Sequence, residues 1–163
     1  MSSLTFSVNI ETLSSIPHDF YLVATAEEKL AITKRLKLLQ VDQIDAELHL
    51  QKDGHIALTG HIKADVTQQC VRTLVPVPEH LEIDVDEFFF FAPHETKAKE
   101  EIDLNMLETG EVLHEDILDL GEIVIQLISL NLDPYPVAPD SKPFEYHDEN
   151  GASSPFDVLK KKE

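Results

Sequence analysis

Apolar and polar positions alternate over the first residues: Leu4, Phe6, Val8 and Ile10 against Thr5, Ser7 and Asn9. A period of two marks a strand, because successive side chains point to opposite faces. Ser14, Ser15 and Pro17 break the pattern. Thr25-Ala26-Glu27-Glu28 then has the capping-box form, in which a hydroxyl and a carboxylate satisfy free backbone N–H groups. Ile32, Leu36 and Leu39 follow at i, i+4 and i+7, with Leu38 on the flank. This spacing predicts a helix over 26–38.

Residues 43–66 carry the plainest signal. Ile44, Ala46, Leu48 and Leu50 alternate with Gln43, Asp45, Glu47, His49 and Gln51. Asp53-Gly54 supplies turn chemistry, and Ile56, Leu58, Gly60, Ile62, Ala64 and Val66 resume the alternation at even positions. A half-buried antiparallel hairpin is predicted. Parity restricts its register: even residues share one face only if opposed positions sum to an even number. A three-residue loop, Lys52-Asp53-Gly54, meets this condition and places Gly at its last position. It pairs Leu50 with Ile56, Leu48 with Leu58 and Ile44 with Ile62, and sets Gly60 opposite Ala46 as a point of close backbone approach. Further strands are expected over 67–75, ended by Pro76 and Pro78, and over 81–91, ended by Phe88–Phe91. Four consecutive phenylalanines cannot all face one core from a flat strand. Either the helix at 119–131 covers their second face, or they form an aromatic binding surface. Base stacking wants nearby Lys or Arg, and the neighbours here are Asp84, Asp86 and Glu87.

Regular apolar spacing then lapses. Between Glu95 and Glu122 acids predominate, with Lys97 and Lys99 the only bases, so 92–118 reads as an acidic connector with one helical turn near Leu104–Leu107. Order returns at Asp119, a cap with Glu122 three residues on. Leu120, Ile123, Val124, Leu127, Ile128 and Asn131 trace one helical stripe over 119–131. Pro134 and Pro136 end it. Residues 137–163 read as a mostly disordered tail, with Phe156-Asp157-Val158-Leu159 a short apolar anchor before three lysines. The expected organisation is one α+β domain over 1–136, built on an antiparallel sheet able to curl toward a barrel, with the 119–131 helix packed against it.

Composition narrows the function. The chain has 163 residues, 31 acids and 13 Lys or Arg, for a net charge of −18. Such a surface repels phosphate backbones and attracts basic proteins. The longest nearly uncharged apolar stretch, 123–132, is far short of the about 20 residues a spanning helix needs, so no membrane segment is expected. The first residues lack the basic and apolar runs of a secretory signal, and a single Cys70 allows no internal disulfide. Both point to the reducing cytoplasm.

Candidate chemistry is sparse. His49, His55 and His61 share the polar face of the hairpin, but the expected register sets His49 opposite Ala57 and His55 opposite Gln51, too far apart for a zinc site. His114-Glu115-Asp116 lacks the paired histidines of a metalloprotease helix. Cys70, expected in a strand with Arg72 on the same face, has a cation able to lower its pKa but no placed base, so it reads as a core residue. No serine-hydrolase elbow, phosphate loop or dinucleotide fingerprint is present. No catalytic residue, cofactor, metal or small-molecule substrate is expected. A hydrolase using Cys70 or a metal is the weakest of the readings.

Two charged groups suggest partners. Glu95, Glu100, Glu101, Asp103, Glu108, Glu111, Glu115 and Asp116 offer carboxylates to a basic protein. Lys29, Lys34, Arg35 and Lys37 give the 26–38 helix a basic face that could touch RNA phosphates.

Three segments in order resemble a known family. They are Cys70-Val71-Arg72-Thr73-Leu74 followed by Pro76; Asp119-Leu120-Gly121-Glu122-Ile123-Val124 leading to Leu130, Leu132, Pro134 and Pro136; and Ser154-Pro155-Phe156 with Leu159 and Lys160. Together they resemble the bacterial YceD family, the large ribosomal RNA subunit accumulation proteins. Many relatives carry a second cysteine three residues after the first. Thr73 stands there in this chain, so a Cys-x-x-Cys role is unavailable. The resemblance implies a non-catalytic role in ribosome biogenesis. The expected partner is a basic ribosomal protein or the large-subunit precursor particle, with ribosomal RNA contacted indirectly.

Overall fold

The computed structural model describes residues 2–91, 111–113 and 116–142. Its frame is a six-stranded, mostly antiparallel sheet built from β1 (Ser2–Ser3), β3 (His18–Val23), β4 (Gln40–Asp53), β5 (His55–Gln69), β6 (Pro76–Phe91) and β7 (Glu111–Leu113). The order is β1-β3-β4-β5-β6-β7, with β1 and β7 as opposite edges, so among the described residues the sheet is open and closes no barrel. β1 runs parallel to β3 and β7 parallel to β6. A second, two-stranded sheet pairs β2 (Ser7–Asn9) with β8 (Ile117–Asp119). Among the described residues there are two helices, α1 (Ala26–Arg35) and α2 (Leu120–Asn131).

Both helices start as their sequences dictate. The Thr25 hydroxyl accepts the Glu28 N–H while the Glu28 carboxylate accepts the Thr25 N–H at 2.8 Å, a complete capping box. At α2 the Asp119 carboxylate accepts the Glu122 N–H at 3.0 Å. α1 stops at Arg35, short of the expected residue 38. Leu36 caps it, and Lys37 takes φ 55°, a left-handed conformation that helical continuation forbids.

The core lies on one side of the sheet. Ile44, Ala46, Leu48 and Leu50 of β4 and Ile56, Leu58, Ile62, Ala64 and Val66 of β5 are buried there, with Ile32 of α1 and Leu120, Val124 and Ile128 of α2 in the same cluster. The even-position face is as the alternation predicts. The register is not. Leu50 pairs with Leu58, Leu48 with Gly60, Ala46 with Ile62 and Lys52 with Ile56, so Asp53-Gly54-His55 forms the turn. Sliding the loop by one residue keeps even opposite even, so sequence parity cannot separate the two solutions. A bulge at Asp42 then switches parity and turns Val41 inward.

The strand boundaries after the hairpin also differ. β5 continues to Gln69, and the expected 67–75 strand is its end plus a turn. Pro76 and Pro78 do not stop a strand but begin β6, whose partner is on the other side. Proline is tolerated at a strand start and on an edge, where no ladder N–H is needed. Within the expected acidic connector of 92–118, Glu111–Leu113 is a strand, and a second, Ile117–Asp119, runs across its end. The expected turn at Leu104–Leu107 and most of the 137–163 tail lie outside the described residues.

The phenylalanine run has a different solution from the one expected. Phe89 is buried on the core side, where α2 also packs. Phe88 and Phe90 point to the opposite face, half-buried, with ring centres 5.7 and 5.9 Å from the ring of His55. No helix covers them among the described residues; a histidine shares their face.

Candidate functional site

The face of the sheet opposite the helices is its principal polar surface. Outward positions of neighbouring strands fall into rows. Asp19 pairs with His49, His49 with Thr59 and Thr59 with Asp86. In the next row Tyr21 meets Glu47, Glu47 meets His61 and His61 meets Asp84. Asp45, Lys63 and Glu82 form a third row, and Asp65 and His80 a fourth pair. Cross-strand neighbours on one face lie close enough for charges to act on each other. His49 Nδ1 lies 2.6 Å from Asp19, His61 Nδ1 3.0 Å from Asp84 and His80 Nδ1 2.6 Å from Asp65. Lys63 lies 4.0 Å from Glu82. Hydrogen bonding to Asp65 raises the His80 pKa above its ordinary value. Each histidine named here, and Lys63, thus has a carboxylate beside it, and the carboxylates of these rows outnumber their one lysine. A shallow cleft lined by Tyr21, Asp45, Glu47, His61 and Lys63 lies at the centre.

His49, His61 and His80 each have an aspartate within hydrogen-bonding distance. His49 faces Thr59 rather than Ala57, and His55 faces Asp53 rather than Gln51. Among the described residues no cluster of His, Cys, Asp and Glu has the geometry to hold a metal ion.

Of the acidic candidates in the connector, Glu95, Glu100, Glu101, Asp103, Glu108 and Glu115 lie outside the described residues. Glu111 opens β7, and Asp116 uses its carbonyl to accept the Ile10 N–H at 2.8 Å. The acidic sheet face was missed as a surface, although its signal was present: carboxylates recur at odd positions of 45–47 and even positions of 82–86.

The basic helix face is partly used by the protein itself. Lys29 Nζ donates to the Asp42 carbonyl at 2.6 Å. Arg35 donates to both oxygens of Glu122, at 2.7 and 2.5 Å, linking α1 to α2. Lys34 is exposed in the last turn, and Lys37 lies beyond it in the left-handed conformation. The four charges do not form one free patch.

Cys70 sits just past β5, at the head of a turn rather than in a strand. It is fully buried. Its N–H donates to the Val75 carbonyl and its carbonyl accepts the Leu74 N–H, closing the turn. The sulfur accepts the Ala138 N–H at 3.3 Å and the Thr73 N–H at 3.4 Å. These donors, Ala138 first, pull the thiol down to about 6 against the opposing effect of burial. The Arg72 guanidinium, a cation able to do this, is not among the causes; the Ala138 N–H comes first and the Thr73 side chain second, with smaller help from the Thr73 and Arg72 N–H groups. The Val71 N–H donates to the Pro136 carbonyl at 2.9 Å, so the chain after α2 is fastened to the Cys70 turn. Pro136 is buried and Pro134 exposed; Arg72 and Leu74 are exposed on the turn. Asp119 caps α2 and Leu120 is buried in the core. Pro155 and Phe156 lie outside the described residues.

Among the described residues no helix is long and apolar enough to cross a membrane. None of the curated proteins compared matches the chain, and neither does any solved structure. A family model described as "Large ribosomal RNA subunit accumulation protein YceD" matches residues 58–161.

Proposed function

The chain belongs to the YceD family of large ribosomal RNA subunit accumulation proteins, and from that membership we propose that it is a non-catalytic ribosome biogenesis factor of the cytoplasm. It supports accumulation of large-subunit ribosomal RNA by holding a basic ribosomal protein, or a basic face of the assembling particle, against its carboxylates. The observation that supports this reading is the open sheet face, where rows of carboxylates around Glu47, Asp84 and Asp86 exceed the cations beside them. Charge complementarity of this kind steers association and selects partners. The acidic residues of 95–116 extend the same attraction. Direct RNA binding through α1 is weaker as a reading, because Lys29 and Arg35 are already engaged within the chain.

Sedimentation of lysate on a sucrose gradient tests the proposal. The protein is expected to travel with large-subunit precursors, and the triple variant Glu47→Lys, Asp84→Lys, Asp86→Lys to remain at the top. Purified protein that grips naked ribosomal RNA at physiological salt, yet captures no ribosomal protein, would overturn it.

A further inference from the structure

β6 is a long strand with one open side. Its pairing with β5 runs from Pro76 to Phe89, whereas on its other side β7 covers only Phe89–Phe91. Among the described residues nothing pairs with that side of β6 over 79–88. An unpaired edge presents a row of free N–H and C=O groups, a template for another strand.

The two faces of this edge differ in chemistry. Glu82, Asp84 and Asp86 point to the polar face, and Leu81, Ile83 and Val85 to the core face. α2 lies over the core face, and its end is fastened to the strand: the Asp133 N–H donates to Glu79 at 3.3 Å. Ile125 and Ser129 of α2 line the seam with Arg35 and Leu36 near the end of α1. Helical periodicity puts Ile123 and Leu127, both only partly buried, on the opposite flank, above the β6 side of the sheet. A strand laid beside β6 would therefore find apolar cover beneath α2 and carboxylates on the other face.

Charge decides which strand fits. A second copy aligned edge to edge would set Glu82, Asp84 and Asp86 against their own kind, and like charges on neighbouring strands repel. A segment with Lys or Arg on alternate positions meets each carboxylate with a cation.

We propose that the 79–88 edge of β6 binds an extended segment of a basic protein by strand addition, with its basic side chains beside Glu82, Asp84 and Asp86 and its alternate apolar side chains under Ile123 and Leu127. Main-chain hydrogen bonds supply affinity in this mode, and the alternating side chains supply selectivity. The inference deepens the proposed function, on which it rests, by giving the basic partner a conformation and a register.

Hydrogen exchange of the full chain with a synthetic peptide of alternating lysine and valine tests it. The control is a twin peptide N-methylated on the residues whose N–H would face β6. The first peptide is expected to slow exchange of the 79–88 amides by about tenfold or more, and the twin to leave them unchanged. Asp84→Lys with Asp86→Lys is expected to weaken binding about tenfold at low salt and less at high salt. Binding without protection of 79–88, equal binding of both peptides, or protection that grows with protein concentration alone overturns strand addition. Because the gradient experiment is read independently, a particle-bound protein that fails this test loses the edge mechanism and keeps its proposed role.

Discussion

Arg35 and Glu122 meet as a two-pronged ion pair, Nη1 to Oε2 at 2.7 Å and Nη2 to Oε1 at 2.5 Å, across 87 residues of chain. It joins the last turn of α1 to the first turn of α2. Both side chains keep partial solvent contact, 52% and 35% exposed, so screening limits its strength. Glu122→Gln is expected to destabilise the fold by roughly 0.5–1 kcal/mol in urea unfolding, and the loss to shrink at high salt. The Glu122 carboxyl is held below its ordinary value, chiefly by hydrogen bonding from Arg35. Its contribution is therefore full above the ordinary carboxylate range and fades as pH falls through the lowered value.

Glu28 does more than close the capping box. Its carboxylate also accepts the Leu4 N–H at 3.2 Å, the Thr5 N–H at 2.6 Å and the Thr5 hydroxyl at 2.5 Å, pinning the N-terminal segment to α1. Burial pushes its pKa up, but the hydrogen bonds from Thr5 and Thr25 outweigh this and hold it at about 2. Glu28→Gln is expected to cost roughly 1–2 kcal/mol at pH 7. The wild type should lose that advantage as pH drops from about 4.5 toward 2, while the variant shows a flatter profile over that window. Thermal melts at stepped pH would reveal the difference; parallel profiles would contradict it.

Gly60 and Gly121 stand where backbone meets backbone. A Cβ on Gly60 would lie 2.1 Å from the Glu47 carbonyl oxygen, and one on Gly121 1.8 Å from that of Leu4. Neither obstacle is a flexible side chain. Gly60→Ala or Gly121→Ala should each destabilise by roughly 2–4 kcal/mol in urea unfolding. Gly54→Ala has open space and suffers only from φ +70°, so a loss of about 1 kcal/mol is expected.

Cys70 joins two distant backbone segments through its sulfur. Cys70→Ala leaves the Ala138 and Thr73 N–H groups without their acceptor and should cost roughly 1–3 kcal/mol. Exchange at Ala138 would quicken, and Cys70→Ser, which keeps an acceptor, would lose less. With a folded pKa of about 6 against an ordinary 9.0, the thiolate's contribution is complete above about pH 9 and is lost as pH falls through about 6. A Cys70→Ala protein with an unchanged pH profile would contradict this assignment.

The features legible along the chain share one property: each is decided within a few residues. Thr25 and Glu28, Asp119 and Glu122, and the even-numbered apolar rows of β4 and β5 act over one helical turn or one pleat. The acidity of the whole chain is likewise a simple sum. Parity could have exposed the carboxylate face, since Asp45, Glu47, Glu82, Asp84 and Asp86 sit on the polar side of strands already recognised.

Folding in three dimensions settled the rest, because the competing solutions preserve the same alternation of apolar and polar positions. A loop over 52–54 and one over 53–55 preserve the same apolar face, and the choice belongs to the pairing across the whole sheet. The pairing of Arg35 with Glu122, the seating of Ala138 on the Cys70 sulfur and the open side of β6 all depend on segments far apart in sequence. Short-range pattern carries the period of each element. Which element stands next to it is fixed by long-range packing, and that is why the charges were countable from the residues while their partners were not.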